Sequence, residues 1–412
     1  MAIRNFLFCC FGSGSRKTQT VEGVEPRVVS TRSIALDDKD QEVEVKSESL
    51  TDSLSSLESS TAPALQHQTT QRALCVVAKH TYELNDDIPY PSIDSPNEIL
   101  IRTFAVGLNP IDWKSVDYNF CMPSFPWIGG RELTGLVEAV GSEVSEFKVG
   151  DRVWASTYYR DRRAGTFQEL CVVPQHTVLP LPASLSMEAG ACLGVAALTA
   201  AMTLWKWLGV PMPLHHGNAA ERHNQVKSQE AEYILIWGGS TITGQFAIQL
   251  ARTSGLQVIA VTSAKTSTLA KNLGAQHVVS RDSKTNEQVV SAIREIVGDD
   301  LTLAIDIVGN ETGAHCLTVL SKSKPSTLAP LAFLKANEQI PENVSIAPVE
   351  MKRFIIEEGN RKFGLELNRL VEAGALRMPE VEVLQGLEEV EVGLQMLKRG
   401  DMGGRKLVVQ VA

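Results

Sequence analysis

A short buried strand followed at once by a glycine-rich turn and a helix is the feature that most constrains this chain. The segment Tyr233 to Trp237 is a continuous apolar run of strand length, and apolar residues at helical spacing begin at Phe246. Between them lies the run Gly238-Gly239-Ser240-Thr241-Ile242-Thr243-Gly244. A strand that turns on glycine into a helix is typical of an α/β domain.

The glycine turn has a chemical use as well as a structural one. Gly238 and Gly239 permit a tight turn and a close approach of the backbone to a pyrophosphate, and Gly244 lets the helix pack closely on the strand. The start of the helix supplies N–H donors and the positive end of the helix dipole. The sequence therefore predicts a dinucleotide-binding loop. The alternative is a structural glycine turn in an α/β domain that binds no ligand.

Strands and helices continue to alternate after this turn. Apolar, strand-like segments follow at Gln257 to Thr262, Gly274 to Val279 and Leu301 to Gly309. This succession predicts an α/β fold with a doubly wound parallel sheet, the Rossmann arrangement, over residues 201–345.

The end of the second of these strands indicates which dinucleotide binds. An NAD enzyme places an acid there to accept the ribose hydroxyls, whereas this chain has Thr262-Ser263-Ala264-Lys265. The Ser263 hydroxyl and the Lys265 ammonium suit a 2′-phosphate, so we expect NADPH rather than NADH. Alternatively, Lys265 is only a solvent-exposed residue at the start of the next helix.

A different sequence pattern precedes the glycine turn. From Arg72, short strand-like runs alternate with turns rich in Pro, Asn, Asp and Ser, and glycine turns follow at Gly141 and Gly165. This pattern predicts a β-rich module, namely a small, partly open barrel.

Four motifs in this module carry a resemblance. In chain order they are Asn109-Pro110-Ile111-Asp112-Trp113-Lys114, Gly129-Gly130-Arg131-Glu132-Leu133-Thr134-Gly135, Val149-Gly150-Asp151-Arg152-Val153 and Gly165-Thr166-Phe167-Gln168-Glu169. From about Arg72 to Ala412 the chain resembles the medium-chain dehydrogenase/reductase superfamily. The resemblance implies a GroES-like, partly open β-barrel catalytic domain of residues 71–200 and 346–412, beside the Rossmann NADPH-binding domain of residues 201–345.

Two departures from the family pattern concern zinc. Zinc alcohol dehydrogenases have a cysteine ligand in the first motif and Gly-His-Glu in the second, where this chain has Asn109-Pro110 and Gly130-Arg131-Glu132. Arg131 replaces the histidine ligand, and its guanidinium offers no lone pair to a metal and repels the ion because it is always cationic. We therefore expect no metal. His215, His216 and His223 lie in a polar segment without spaced acid or thiol partners, which is typical of loop histidines. The chain instead resembles zinc-independent quinone oxidoreductases and enoyl reductases, foremost the fungal trans-acting enoyl reductases.

The resemblance also implies roles for residues near the reacting atoms. Lys114 stands where the trans-acting enoyl reductases carry a lysine that faces the cofactor, which implies cofactor contact and proton donation; alternatively it is a surface lysine after a turn. Ile111 and Asp112 of the same motif are implied cofactor contacts. Thr199 matches a helix start beside the nicotinamide, although a threonine in an apolar helix also bonds its own backbone.

Further cofactor contacts are implied on the other side of the cleft. Val308 and Gly309 would meet the nicotinamide, and Arg281 falls near a position often taken by a phosphate-contacting tyrosine. The glycines Gly403 and Gly404 would border the cleft or else form only a hairpin turn. Tyr118, close to the position of a proton-donating tyrosine in mitochondrial-type enoyl reductases, fits a wall residue better.

Composition excludes several other classes. The net charge of −9, from 39 Lys and Arg against 48 Asp and Glu, argues against a nucleic-acid binder, which needs cations to displace counterions. No eighteen consecutive apolar residues occur, which argues against a membrane-spanning helix. The seven cysteines are scattered without a Cys-x-x-Cys pair, so they predict neither a disulfide framework nor a closed zinc site. We expect a cytoplasmic protein.

Residues 1–70 are Ser-rich and acidic without a sustained apolar period, which predicts a disordered tail. Near its start Cys9 and Cys10 lie side by side in an aromatic run, and S-acylation of both would attach the protein to a membrane. The alternatives are an unstructured leader with idle thiols and a wrongly assigned start codon.

The resemblance thus implies an NADPH-dependent oxidoreductase that reduces an activated C=C bond without zinc, foremost a trans-acting enoyl reductase of fungal polyketide metabolism. Its substrate would be an unsaturated acyl group, free or on a carrier, with a polyketide synthase as partner. A quinone oxidoreductase with the same cofactor is the first alternative, and a non-catalytic, NADPH-binding, membrane-tethered interaction protein is the second. Family members include monomers and homodimers, and the sequence shows no pattern that identifies a subunit interface.

Overall fold

The computed structural model describes residues 69–213, 232–400 and 402–411. The strands are β1 (Thr70–Ala78), β2 (Thr81–Pro89), β3 (Glu98–Gly107), β4 (Trp127–Ile128), β5 (Glu132–Val140), β6 (Arg152–Ser156), β7 (Leu170–Pro174), β8 (Val178–Pro180), β9 (Tyr233–Trp237), β10 (Gln257–Thr262), β11 (His277–Ser280), β12 (Leu301–Asp306), β13 (Ser326–Pro330), β14 (Val344–Ile346), β15 (Val381–Gln385) and β16 (Lys406–Gln410). The α-helices are α1 (Pro110–Asp117), α2 (Met187–Gly190), α3 (Leu198–Met202), α4 (Ile242–Thr253), α5 (Ser267–Leu273), α6 (Asn286–Val297), α7 (Asn310–Val319), α8 (Lys352–Ile356), α9 (Arg361–Glu372) and α10 (Glu389–Arg399).

A six-stranded parallel sheet has the order β11-β10-β9-β12-β13-β14. The apolar run Tyr233–Trp237 forms the inner strand β9, because a strand covered by helices on both faces needs apolar side chains at nearly every position. The chain leaves β9 toward β10 on one side and later returns to β12 on the other, so the carboxyl ends of these strands border one crevice. The predicted doubly wound sheet is confirmed.

A second sheet of seven strands has the order β15-β16-β3-β5-β6-β8, and β7 also pairs with β3. Apart from the parallel pair β15 and β16, its neighbours are antiparallel. The pairing of β3 with β5 shifts register twice, and such bulges bend strands as a partly open barrel requires. A three-stranded sheet of order β2-β1-β4 completes the β-rich module.

The C-terminal strand belongs to the β-rich module. β16 runs antiparallel to β3, with Val408 opposite Gly107 and Gln410 opposite Ala105. The run after Gly404 thus pairs with the first module.

One core connects the two sheets. Trp205, Phe354 and Phe363 share a buried cluster with Ile236 of β9 and Trp154 of β6. The helices between the sheets pack in one core with both of them, so the core does not divide at residues 200 and 345. The predicted domain boundaries at these residues therefore stay predictions.

The helical stretch Met187–Trp207 runs through this core. It is long and apolar enough to cross a membrane by length and composition alone, with 21 residues and a mean hydropathy of 1.5 in its most apolar window. That window is 83% buried inside the protein, which is typical of a core helix. Two π-helical turns, Leu193–Ala197 and Thr203–Trp207, flank α3 within it. Such turns widen a helix locally and recur at functional sites.

Candidate active site

The glycine loop leaves β9 in a conformation that only glycine adopts freely. Gly238 has a φ of +100°. The backbone N–H groups of Gly238 and Gly239 both donate to the carbonyl oxygen of Val261, at 3.1 and 3.0 Å, which fixes the loop to β10. The Thr241 hydroxyl then caps α4, since it accepts a hydrogen bond from the Gly244 N–H at 3.0 Å.

Side chains are excluded at two glycines of this loop by their neighbours. A Cβ added at Gly239 would lie 2.9 Å from the Ala260 Cβ, and one at Gly244 would lie 2.3 Å from the Gly238 carbonyl oxygen. Gly239 and Gly244 therefore have to stay without side chains, and the loop ends at the N-terminus of a twelve-residue helix. A glycine turn that ends at a helix N-terminus fits the pyrophosphate of a dinucleotide.

The C-terminal glycine turn lies against this loop. The Gln245 side-chain amide donates to the Gly404 carbonyl oxygen at 2.7 Å and to the Ser240 carbonyl oxygen at 3.1 Å. A Cβ added at Gly403 would lie 3.6 Å from the Lys265 Nζ. The structure thus brings together four residues that the sequence predicts at the cofactor, Ser240, Lys265, Gly403 and Gly404.

The turn after β12 faces the glycine loop from the other side. A Cβ added at Gly238 would lie 3.0 Å from the Val308 Cγ2, and Val308 is 51% exposed. The buried Asp306 carboxylate holds this turn, because it accepts hydrogen bonds from the N–H groups of Val308 and Gly309 and from the Thr312 hydroxyl at 2.6 Å. Burial raises the pKa of Asp306 to about 6.

The predicted phosphate-binding residues surround the end of β10. Ser263 and the exposed Lys265 follow that strand, and the Arg281 N–H donates to the Thr262 carbonyl oxygen at 2.9 Å. An acid also stands there, since the Asp282 carboxylate accepts a hydrogen bond from the Ala264 N–H at 2.8 Å. The residues that directly follow β10 include no acid, because Asp282 comes from the end of the neighbouring strand, β11.

The motif around Asn109 forms the start of α1. The Asn109 N–H donates to the Asp112 Oδ2 at 2.8 Å, which ties the N-cap residue to the first turn of the helix. The Asp112 side chain is 1% exposed, and its Oδ1 lies 3.8 Å from the Arg131 Nε. Burial raises the pKa of Asp112 to about 6, against the opposing effect of Arg131. The implied contact of Asp112 with the cofactor stays a prediction, as does that of the half-buried Ile111.

Lys114 lies one turn along the same helix. Its ammonium is 5.7 Å from the centre of the Trp113 ring, and burial lowers the pKa of Lys114 below its ordinary value. Within residues 69–213, 232–400 and 402–411 no carboxylate approaches it within ion-pair distance. Tyr118 caps the helix end and is 51% exposed, while Thr199 is buried in α3. These contacts do not test the roles implied for Lys114, cofactor contact and proton donation, or the implied position of Thr199 beside the nicotinamide.

A buried polar cluster joins the first two family motifs to the last strand. The Lys406 ammonium donates to Glu132 Oε1 at 2.6 Å and to Asn109 Oδ1 at 2.8 Å. Glu132 also accepts hydrogen bonds from the Asn109 side-chain amide and from the Val195 N–H, at 2.8 and 2.7 Å. Asn109 and Glu132 belong to the first two family motifs, but no sequence pattern predicts their contact with Lys406. The sequence feature that could have indicated this contact is a charged residue, Glu132 or Lys406, within an otherwise apolar strand segment.

Metal ligands are not grouped in the part of the chain that the structure describes. No cluster of three or more His, Cys, Asp or Glu there is arranged to hold an ion. Arg131, which stands in the second family motif, instead donates to the Ser115 hydroxyl at 3.0 Å. His215, His216 and His223 lie outside the described residues.

A bare glycine loop at the switch point of a Rossmann sheet, joined to a GroES-like β-module, defines a nicotinamide-dinucleotide-dependent oxidoreductase. Two family models match the chain, the alcohol dehydrogenase GroES-like domain over residues 95–183 and the zinc-binding dehydrogenase over residues 243–354. By these two matches and the relatives below, the chain is similar to the medium-chain dehydrogenase/reductase superfamily over both of its modules.

Similar proteins agree with this family. The trans-enoyl reductase himH of Aspergillus japonicus is 29% identical over 325 residues, which cover 76% of this chain and 90% of the relative. The quinone oxidoreductase of Pseudomonas syringae pv. Tomato DC3000 has a TM-score of 0.67 at 22% identity and covers 82% of this chain and 99% of its own. A mycobacterial protein complexed with NADPH has a TM-score of 0.65 at 22% identity, covering 82% and 99%. The predicted fold, family and likeness to fungal trans-acting enoyl reductases are confirmed.

Proposed function

We propose that this protein is an NADPH-dependent trans-acting enoyl reductase that reduces the C=C bond of an α,β-unsaturated acyl thioester without zinc. The observation that carries the proposal is the grouping of the bare glycine loop with Lys265 and with the Gly403-Gly404 turn. The likeness to fungal trans-enoyl reductases supports the substrate class. A neighbour solved with NADPH supports the cofactor, as does the Lys265 ammonium beside the loop.

The residues around the loop would hold the dinucleotide by its two phosphate-containing groups, the pyrophosphate and the 2′-phosphate. The N–H groups at the start of α4 face the pyrophosphate, and Ser263, Lys265 and Arg281 at the end of β10 face the 2′-phosphate. Val308 and Gly309, fixed by Asp306, orient the nicotinamide end. When bound, the cofactor supplies a hydride.

The remaining task of the protein is to stabilise charge on the substrate. As the β carbon accepts a hydride, negative charge develops on the thioester carbonyl oxygen, where a cation or hydroxyl lowers the barrier. Lys114, which has no carboxylate partner in the described parts of the chain, and Thr199 are the groups to which we assign this role.

Turnover with matched substrates tests the proposal. Purified protein is given NADPH or NADH with a crotonyl thioester, a simple quinone or a saturated aldehyde. We expect NADPH oxidation with the thioester and little with the aldehyde. Turnover only with the aldehyde, or only with NADH, would contradict the proposal.

A quinone oxidoreductase is the second candidate, which the similarity to the Pseudomonas syringae enzyme favours. The same assay separates the two, because a quinone reductase turns over the quinone and leaves the thioester unreduced. Tight NADPH binding without turnover of either would favour the non-catalytic alternative.

The setting of the reaction is also part of the proposal. A carrier-bound acyl group implies a polyketide synthase as partner, and we place the protein in the cytoplasm as a monomer or homodimer. Acylation of Cys9 and Cys10 would instead attach it to a membrane. Fractionation of cells, with and without hydroxylamine to cleave thioesters, distinguishes these two locations.

A further inference from the structure

The Gln245 side chain places a polar amide at a buried position of α4. Gln245 is 3% exposed, and the next two residues of the helix, Phe246 and Ala247, belong to the apolar core. Burial of an amide is unfavourable unless the amide forms hydrogen bonds, so a glutamine at this position needs partners. The partners of Gln245 lie in two distant parts of the chain.

The first partner is the glycine loop. The Gln245 Nε2 donates to the Ser240 carbonyl oxygen at 3.1 Å. On the opposite edge of the same peptide group, the Thr241 N–H donates to the Gly238 carbonyl oxygen at 3.0 Å. Because a peptide group is planar, two hydrogen bonds at its opposite edges fix its orientation. The backbone of the loop is therefore ordered by contacts within the protein.

The second partner is the C-terminal glycine turn. The same Nε2 donates to the Gly404 carbonyl oxygen at 2.7 Å, across 159 residues of sequence. The Arg405 N–H donates to the Met402 carbonyl oxygen at 3.0 Å, which closes the turn on itself, whereas the Gln245 amide connects the turn to the Rossmann sheet. An amide nitrogen carries two hydrogens, so one Gln245 side chain holds both elements at once.

Gln249 lies one helical turn further along α4 and binds a different segment. It is 6% exposed, and its Nε2 donates to the carbonyl oxygens of Arg377, at 3.1 Å, and of Gln245, at 3.2 Å. Its Oε1 accepts a hydrogen bond from the Arg377 N–H at 2.8 Å. Arg377 lies between α9 and β15. The two glutamines thus share helix, burial and chemistry but differ in what their side chains hold.

We propose that Gln245 is a positioning residue for the dinucleotide, whose amide fixes the glycine loop and the C-terminal turn relative to each other in the arrangement that receives the pyrophosphate. The inference rests on the proposed function. A loop that is already ordered loses less conformational entropy when a ligand binds, so the ligand binds more tightly. Because NADPH and NADH share the pyrophosphate, Gln245 raises the affinity for both.

Calorimetric titration with NADPH and with NADH tests the proposal. Gln245→Met keeps the length and burial of the side chain but has no amide to donate. We expect the Kd to rise roughly tenfold for NADPH and by the same factor for NADH. In turnover of a crotonyl thioester the KM for NADPH should rise, whereas kcat at saturating NADPH and the KM for the thioester should stay within about twofold of wild type.

Gln249→Met is the matched control, because it removes the same amide from a similarly buried position on the same helix. Each variant leaves backbone groups without a hydrogen-bond partner, so each should lower the Tm by several degrees. The Kd for both dinucleotides should rise in Gln245→Met and stay at the wild-type value in Gln249→Met. A general loss of stability does not produce that difference.

If Gln245→Met does not fold, Gly404→Ala replaces it. The added Cβ would lie 3.3 Å from the Gln245 Nε2 and 3.0 Å from the Leu269 Cδ2, which displaces the turn from the amide. Gly400→Ala is its control, since Gly400 has a φ of +81°, against +87° at Gly404, and an added Cβ there meets nothing within 4 Å. The Kd for both dinucleotides should rise in Gly404→Ala and not in Gly400→Ala.

Three outcomes would overturn the proposal alone. Wild-type Kd values in a folded Gln245→Met protein, or an equal rise in Gln249→Met, would show that Gln245 only packs in the core. A rise for NADPH without one for NADH would show that the amide acts through Lys265 at the 2′-phosphate. A wild-type protein that binds neither dinucleotide refutes the proposed function, and this inference with it.

Discussion

Lys406 and Glu132 form an ion pair of 2.6 Å although they lie 274 residues apart and their side chains are 2% and 0% exposed. Desolvation of two charges is expensive, and here it is offset by further hydrogen bonds from Asn109 and Val195. The pair joins the second family motif to the last strand, next to the glycine turn that borders the dinucleotide loop.

Breaking this pair should destabilise the protein strongly. We expect Lys406→Met and Glu132→Gln each to lower the free energy of unfolding by about 3–5 kcal/mol, because each leaves a buried polar group without its partner. The double variant should cost less than the sum. Denaturant unfolding measures all three.

Glu138→Gln provides the control, since Glu138 also lies on β5 but pairs with Arg102 at the surface. Its effect should stay below about 1 kcal/mol. A similar small loss for Glu132→Gln would mean that the buried pair contributes little.

A side chain in the dinucleotide loop should block the cofactor. Gly239→Ala places a Cβ 2.9 Å from the Ala260 Cβ and displaces the loop from β10. We expect the Kd for NADPH to rise at least about tenfold, or roughly 1.4 kcal/mol, in a calorimetric titration. Gly359→Ala, where the added Cβ meets nothing within 4 Å, should bind NADPH as the wild type does.

Charge at the end of β10 should set the choice of dinucleotide. Lys265→Ala should weaken NADPH about tenfold and NADH much less, because only NADPH carries the 2′-phosphate. Asp282→Asn keeps an acceptor for the Ala264 N–H but removes a negative charge, so it should tighten NADPH several-fold. Equal effects on both dinucleotides would show that neither residue faces the phosphate.

Asp306 should make stability depend on pH in an unusual direction. Its pKa is about 6 in the folded protein, above its ordinary value of 3.8, so the folded state binds the proton more tightly. The stabilisation is present below pH 3.8 and is lost as the pH rises through about 6. Two pKa units correspond to ~3 kcal/mol.

The comparison of wild type with Asp306→Asn isolates this group. Between pH 4 and pH 7 the difference in unfolding free energy should shift by ~2.4 kcal/mol in favour of the variant, whatever the fixed effect of losing an acceptor. A difference that does not vary with pH would show that the pKa of Asp306 is not raised.

Local pattern is enough to predict the parts of this fold that depend on neighbouring residues. The run Tyr233–Trp237 and the glycines after it determine β9, the loop and α4, because strand burial, positive φ and helix capping act within a dozen residues. The resemblance to a family extended this to the GroES-like module and to the return of β16.

Contacts between distant polar residues were not predictable in this way. Glu132 and Lys406 meet only once β16 pairs with β3. Asp282 reaches Ala264 only because β11 lies beside β10 in parallel register. Asp306 and Gln245 likewise look like ordinary polar residues next to apolar segments. Their partners are fixed by sheet order, which the spacing of one sequence does not encode.

The Gln245 amide that spans Ser240 and Gly404 has a consequence for engineering. In the proposed function, the residues that bind the dinucleotide come both from the middle of the chain and from its last ten residues. A fragment limited to residues 201–345 would then lack the Gly403-Gly404 turn, and a chimera that exchanges this segment between two enzymes must exchange the C-terminal turn with it. A tag fused after Ala412 stands only a few residues from the same turn, so it belongs at the other end.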